Sequence, residues 1–288
     1  MTLGCWLDTW FDLYVVPEKL APSTKAMYRR AIQAVPSTLA ARDMEQLTSL
    51  ELRRWLVAVA RDHPRAAQLD RVMLTRALRI AGKLGYCQRD LMDPELVPKI
   101  SHQAAEAEVL TEDQVVAYLQ AARDSPMLPL LMLCLCGLRR GEALGVRWED
   151  LDGDVLTIRR QRIRIDGKYM TTKLKSTKAN RRLHLPSALM SVLARWPHHI
   201  RGWIVDATPE QLYAAHCQAI QAAELPHCTL HGLRHTFATI AAAQGQPMKL
   251  LQLTLGHSKM TLTADLYADH LRICSELPAL VYKGVGAL

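Results

Sequence analysis

The sequence predicts an α+β fold, mostly α-helical with a small β-sheet, divided into two domains. Three observations carry this reading. Apolar residues recur at helical spacing behind capping signatures over residues 1–100, a stretch with two prolines and no periodicity lies near residues 93–108, and strand-like alternation is confined to residues 155–185 of an otherwise helical second half. The 288 residues are 49% hydrophobic and 22% charged, enough to bury about two cores.

The elements follow in order. Ser23 opens a run through Tyr28, Ile32 and Val35. Thr48 with Glu51 forms a capping box ahead of Leu52, Trp55, Leu56 and Val59, which share one helical face. A further helix follows Pro64 and stops at Gly85; Leu69 and Val72 against Arg76 and Lys83 suggest an apolar face opposite a basic one. The stretch DPELVPKISHQAAEAE reads as a connection, giving a helical domain over 1–100, a linker over 101–110, a second domain over 111–270 and a tail over 271–288. Thr111 and Gln114 cap a new helix, and helical signals continue to Trp148. Within the alternating stretch, Asp166-Gly167 marks a hairpin because both residues tolerate positive φ. Helices resume at Pro186; Thr208-Pro209-Glu210 and Thr229 look like helix starts and Gly245 like a helix end.

No apolar run approaches the roughly 18 residues of a membrane span, and the opening MTLGCWLDTWFDLY has acids where a secretory signal needs basic residues. The expected location is cytoplasmic, away from membranes. Seven cysteines without a CxxC pair read as buried thiols of a reducing compartment.

The formal charge is +8, and its distribution says more than its sum. Residues 159–182 hold ten basic side chains against one acid, Asp166, a local +9 that leaves the rest of the chain near neutral. Like charges on paired strands repel, so Arg159, Arg160, Arg162, Arg164, Lys173, Lys178, Arg181 and Arg182 are expected to meet a polyanion that supplies the counter-charge. A solvated hairpin is the plainer alternative. There is no zinc-finger spacing and no aromatic platform for stacking RNA bases, which leaves backbone contact with duplex DNA as the simpler expectation.

Several segments could carry chemistry. In GLRRGEALGVRW, Arg139 emerges from a buried-looking run three positions before Glu142, a carboxylate that could hold the guanidinium in place; an ordinary surface ion pair has the same spacing. In TLHGLRHTFATIAAAQG, His231 and Arg234 share a face near a helix N-terminus, where an anion is favoured. His235 follows one turn after His231, but no HExxH pattern or other ligand spacing completes a metal site. EDLDGD imitates a calcium loop and fails, with Val155 where glycine is required. No GxxxxGK phosphate loop occurs, so no metal, nucleotide or other cofactor is expected.

Together these segments resemble the tyrosine recombinase family, also called phage integrases. GLRRGE is similar to its first arginine box, LKSTKANRRLHLP to its lysine segment, HGLRHTFAT to its His-x-x-Arg box, LGH to its second histidine and LYADH to its nucleophile segment, in the family's order. The resemblance implies a helical core-binding domain and a mixed catalytic domain of the DNA breaking-rejoining type, forming a C-shaped clamp on duplex DNA, with four protomers on paired core sites. It implies that Arg139 and Arg234 grip the scissile phosphate, that His231 and His257 hydrogen-bond it, that Lys175 protonates the leaving 5′ oxygen, with Lys173 and Lys178 close by as alternatives, and that Tyr267 is the nucleophile. Glu142 and His235 would orient their neighbours. A phenol with a pKa near 10 needs such a cationic field to attack at neutral pH.

The boxes look most like integrases of phages and integrative elements, whose partners can include an accessory directionality protein. Recombinases that resolve chromosome dimers or invert segments are the alternative, and a type IB topoisomerase or a non-catalytic DNA-binding regulator come after them. The apolar tail residues Leu271, Ile273, Leu277, Leu280 and Val281 would dock on a neighbouring protomer or cap their own domain.

Overall fold

The computed structural model describes residues 1–87, 90–101, 108–165, 167–174, 180–198 and 202–256. The chain divides into two compact units, Met1–Ala105 and Glu106–Leu288.

The first unit is helical. Helix α1 (Leu3–Trp10) starts at Thr2, whose hydroxyl accepts from the Cys5 amide, and runs on into a π-helical turn at Phe11–Val15. Its buried face of Leu3, Trp6, Leu7 and Trp10 meets the later helices, and the Trp6 indole donates to the Ala77 carbonyl. Helices α2 (Pro22–Gln33) and α3 (Ser37–Ala40) follow. The expected capping box is present: Thr48 and Glu51 bond reciprocally at the start of α4 (Ser49–Asp62). Helix α5 (Pro64–Lys83) begins on its proline, and the chain turns at Gly85 with φ +78°.

Two expectations for this unit are corrected. The buried side of α5 is Ala67, Met73, Leu74, Ala77, Leu78 and Ala81, whereas Val72 is exposed and Leu69 only half-buried. Arg76 reaches back to Glu18 and Tyr28 and so is not part of an open basic face. The proline-containing stretch also packs: Val97 is buried, its carbonyl accepts from Arg71, and the Ile100 carbonyl accepts from Gln68.

The second unit is α+β. A capping box of Thr111 and Gln114 opens α6 (Glu112–Ala121), as expected. Helix α7 (Leu128–Leu135) is LPLLMLCL, and all of it is buried; a helix apolar on every side can only be the centre of a core. A one-turn helix α8 (Arg140–Ala143) and a 3₁₀ turn (Trp148–Asp150) lead into β1 (Leu151–Asp152) and β2 (Val155–Ile158). Strands β3 (Arg160–Ile165) and β4 (Lys168–Lys173) form a separate antiparallel hairpin turning at Gly167, which has φ +80°. Strand β5 (Arg181–His184) returns to β2, giving an antiparallel order β1-β2-β5. Helices α9 (Ser187–Ala194), α10 (Pro209–Ala222), α11 (Leu230–Ala243) and α12 (Met248–Leu255) complete the unit. The alternating stretch is thus two small sheets. Among the described residues no helix is long and apolar enough to cross a membrane.

A buried hydrogen-bond chain fixes the entry to α11. The Tyr118 hydroxyl on α6 meets Nδ1 of His216 on α10 at 2.9 Å, and His216 Nε2 meets the Cys228 carbonyl at 2.6 Å. A carbonyl only accepts, so Nε2 carries the hydrogen and Nδ1 accepts from Tyr118. Thr229 then caps α11 through the Gly232 amide, and Thr236 accepts from the Leu110 amide at the front of the unit.

Candidate functional site

The apolar core sets the site's position. Helix α7 ends at Leu135, and the chain passes through Gly137 to Arg139, which stands at the start of α8. There the Glu142 carboxylate accepts from the Arg139 backbone amide at 2.9 Å and from Arg139 Nη1 at 2.8 Å. The pair is not an ordinary surface contact. The Glu142 side chain is 2% exposed, while that of Arg139 is 38% exposed and is the member that faces solvent.

A second guanidinium closes on the same carboxylate. Arg181 at the head of β5 donates to Glu142 Oε2 at 2.9 Å and to Oε1 at 3.3 Å, with its side chain only 6% exposed. Burial pushes the Glu142 carboxyl up, but the hydrogen bonds and charge of Arg181, followed by those of Arg139, outweigh it and hold the group below its ordinary value. Arg181 is therefore corrected from an expected DNA contact to an interior ion-pair partner. The alternation of β5 could have shown this, since Arg181 shares strand parity with the buried Leu183 and Leu185.

Arg234 comes from the middle of α11 and is buried. Its Nη1 donates to the Gly137 carbonyl at 2.5 Å and its Nη2 to the Leu255 carbonyl at 2.6 Å. These bonds use two of the five guanidinium N–H groups. Burial first, then the charges of Arg139 and Arg181, push its pKa down to about 9. Two guanidinium groups thus bond one carboxylate, Glu142, and Arg234 adds a third positive charge, so among the described residues the cluster carries a surplus of positive charge that faces outward through Arg139.

The end of α12 closes the cluster. Arg139 Nη2 donates to the Gly256 carbonyl at 3.2 Å, and Arg181 Nε to the Thr254 carbonyl at 2.6 Å. Gly256 has φ +66°, a conformation that favours glycine, and a Cβ there would stand 3.1 Å from Arg181 Nη1, so any other residue would also press on that guanidinium.

His231 and His235, one turn apart on α11, are exposed and meet edge to face with ring centroids 4.6 Å apart. Lys175, Lys178, His257 and Tyr267 lie outside the described residues, as does the tail over 271–288.

The basic hairpin departs from expectation in its counter-charges. Its arginines find acids elsewhere in the unit: Arg160 pairs with Asp150 at 2.6 Å and Glu149 at 3.2 Å, Arg162 with Asp206 at 2.5 Å, and Arg164 with Glu210 at 2.8 Å. Arg159 lies 3.9 Å from Asp150. Arg162 also lies over the Trp203 and Tyr169 rings, and Arg147 lies over the Trp203 ring as well. A polyanion is therefore not needed to balance these arginines, because the acids are close in space though remote in sequence. Lys168, Lys173 and Arg182 are exposed and have no acidic partner among the described residues.

Residues 108–272 match the sequence profile of the Phage integrase family. The chain is 26% identical over 268 residues to a putative prophage phiRv2 integrase of Mycobacterium tuberculosis, covering 86% of this chain and 69% of that protein. It is 25% identical over 198 residues to a tyrosine recombinase XerC-like protein of Caldanaerobacter subterraneus subsp. tengcongensis, covering 56% of this chain but only half of that relative's length. Tyrosine recombinase XerD of Mycobacterium tuberculosis is matched over 91% of this chain and 92% of its own length at 25% identity. In three dimensions the chain resembles the Tn1549 transposon integrase in complex with a circular intermediate DNA, at TM-score 0.75 and 17% identity over 95% of this chain and 99% of that one. A lambda integrase tetramer bound to a Holliday junction aligns at TM-score 0.70 and 20% identity over 92% of this chain and 81% of that one. Such likenesses establish a common fold.

Proposed function

The chain belongs to the phage integrase family of tyrosine recombinases, and from that premise we propose that it cleaves and rejoins duplex DNA through a covalent link to Tyr267. The observation that carries the reading is the charge of the cluster: Arg139, Arg181 and Arg234 against one carboxylate among the described residues, Glu142, with Arg139 facing solvent. A phosphodiester supplies the missing negative charge, and its charge grows as a pentavalent phosphorane forms, so the cluster stabilises the transition state more than the ground state.

The step balances without an outside reagent. The Tyr267 oxygen attacks the scissile phosphorus, its proton passing to His231, while the bond from phosphorus to the 5′ oxygen breaks and Lys175 protonates the departing oxygen. A 3′-phosphotyrosyl link and a free 5′ hydroxyl result. One phosphodiester replaces another, so rejoining by the reverse reaction needs neither ATP nor a metal ion. Arg139 and Arg234 hold the non-bridging oxygens, with three N–H groups of Arg234 left by its two carbonyl bonds, and His257 adds a hydrogen bond.

Paired core sites and a tetramer are the proposed setting, on the analogy of the lambda integrase tetramer on a Holliday junction. Integration of a phage or mobile element is the favoured role, supported by the prophage relative. The near full-length match to XerD keeps a resolving recombinase as a second reading. The test uses nicked duplexes drawn from DNA flanking the coding region. Covalent adducts that form with the natural chain and vanish in Tyr267→Phe are expected; adducts that persist in that variant overturn the assignment, and relaxation of supercoils without strand exchange would make the protein a topoisomerase.

A further inference from the structure

Three consecutive carbonyls at the end of α12 are each taken by a different arginine. Thr254 accepts from Arg181 Nε at 2.6 Å, Leu255 from Arg234 Nη2 at 2.6 Å and Gly256 from Arg139 Nη2 at 3.2 Å. A helix C-terminus leaves its last carbonyls without intrahelical donors and carries partial negative charge, so it is a natural seat for cations. Here the donors come from β5, α11 and the start of α8. Arg181 also grips Glu142 with two guanidinium nitrogens, at 2.9 and 3.3 Å, where Arg139 uses one guanidinium nitrogen and its backbone amide.

We propose that Arg181 is a positioning residue for strand cleavage: it locks the Glu142 carboxylate that aims Arg139 and, with the same guanidinium, holds the end of α12 from which the chain continues to His257. The inference rests on the cleavage reading above. Three features support it. Arg181 is 6% exposed, so its charge is spent inside the unit and not on a duplex. It begins the strand that follows the Lys175 segment in sequence, so one side chain ties three of the family's boxes together. And the space beside it is kept by Gly256, where a Cβ would lie 3.1 Å from Arg181 Nη1.

The test separates positioning from DNA contact and from simple folding. Arg181→Met and Arg181→Lys in the full chain are compared with the natural protein for DNA affinity against salt and for single-turnover adduct formation on a saturating nicked duplex. Arg181→Met is expected to bind DNA within about twofold and with an unchanged salt slope, yet to form adducts roughly 100-fold more slowly, the scale of a misplaced reacting group. Lysine cannot span Glu142 and the Thr254 carbonyl together, so Arg181→Lys should be slowed as well, by roughly tenfold or more. A salt slope lowered by about one with natural adduct rates at saturation would make Arg181 a phosphate contact and overturn the proposal.

A pH profile distinguishes positioning through Glu142 from loss of fold. Glu142 is faced by Arg139 before α8, Arg181 on β5, Arg234 on α11 and the buried Cys134 on α7. Without Arg181 its carboxyl rises, and adduct formation in the variants should fall off at a higher pH than in the natural protein, whose own decline in acid comes from protonation of the His231 acceptor; an unchanged profile refutes the role. If Arg181→Met does not fold, Arg181→Lys alone decides by the same rate and profile. If the natural chain itself forms no Tyr267-dependent adduct, the cleavage reading fails first; if it does and both variants match it, only the positioning role fails.

Discussion

Replacing Glu142 by glutamine should destabilise the second unit by about 3–5 kcal/mol, the range for breaking a buried ion pair by removing one partner. The carboxylate accepts from the Arg139 amide at 2.9 Å, Arg139 Nη1 at 2.8 Å, Arg181 Nη2 at 2.9 Å and Arg181 Nη1 at 3.3 Å. Each such charge-assisted bond is worth about 1.5–3 kcal/mol. The share from Arg139 is discounted because its side chain is 38% exposed and water can replace the lost partner, whereas Arg181 at 6% has no such recourse. Glutamine keeps one acceptor oxygen but turns an amide N–H₂ toward a guanidinium, so the loss stays near the full range. Amide hydrogen exchange along the buried α7 reports this unit alone and converts to a free energy of opening. The carboxyl is held below its ordinary value in the folded state, so its contribution is fully present above the unfolded pKa near 4.3 and is lost as pH falls through the folded one. The natural chain and Glu142→Gln should therefore converge in acid. A difference under about 1 kcal/mol at pH 7, or one as large at pH 3 as at pH 7, would refute the ion-pair account.

Asp70 on α5 is 5% exposed, and burial pushes its carboxyl up to about 6. A raised carboxyl favours the folded state below the unfolded pKa and loses that advantage as pH rises, so Asp70→Asn should raise the unfolding free energy of the first unit at pH 8, by at most about 3 kcal/mol, and the gain should shrink toward pH 4; a gain independent of pH contradicts it. Burial first of all pushes the His216 imidazole pKa down, so the neutral ring is the folded form and the second unit should lose stability below about pH 6.5. Tyr118→Phe removes the donor to Nδ1 and should cost about 1–2 kcal/mol by urea unfolding. In DNA binding, Lys173→Ala and Arg182→Ala should each lower the salt slope by about one, while Arg162→Ala, whose partner is Asp206, should leave it nearly unchanged; equal slopes for all three would contradict the pairing seen here.

Local signals were the readable part of the sequence. Thr48 with Glu51, Thr111 with Gln114, Thr208 and Thr229 each cap the helix expected of them, and the hairpin turns at Gly167. Those features are decided within four residues. Where the answer lies in distant partners the sequence is ambiguous: on α5, Leu69 and Val72 are as apolar as Leu74 and Leu78, and only the packing of the neighbouring helices selects the face of Ala67, Met73, Leu74, Ala77, Leu78 and Ala81. At the site, the spacing of Arg139 and Glu142 was visible, but not that Glu142 is buried, because that depends on β5 and α12 arriving from far along the chain. The same blindness affected the basic hairpin, whose neutralising acids Asp150, Asp206 and Glu210 lie outside residues 159–182.

That misreading has a physical consequence for where DNA recognition and chemistry divide. Arginines of the hairpin are neutralised pair by pair, each acid within 4.0 Å of its partner, so their net field at a distance is small. The cluster at Arg139 is built the opposite way: among the described residues Arg139 and Arg181 share the one carboxylate of Glu142, and carbonyls of Gly137, Thr254, Leu255 and Gly256 accept the other N–H groups of the three arginines. Carbonyl dipoles satisfy N–H groups without cancelling the charge, so the cluster can be stable in the free protein and still attract an anion. A carboxylate in place of those carbonyls would bind the arginines more tightly and leave less for phosphate. The prediction is that sulfate, a dianion that can occupy the cluster, slows adduct formation on nicked duplexes more than chloride does at equal ionic strength; equal slowing by the two salts would mean that surplus charge is not what the reaction uses.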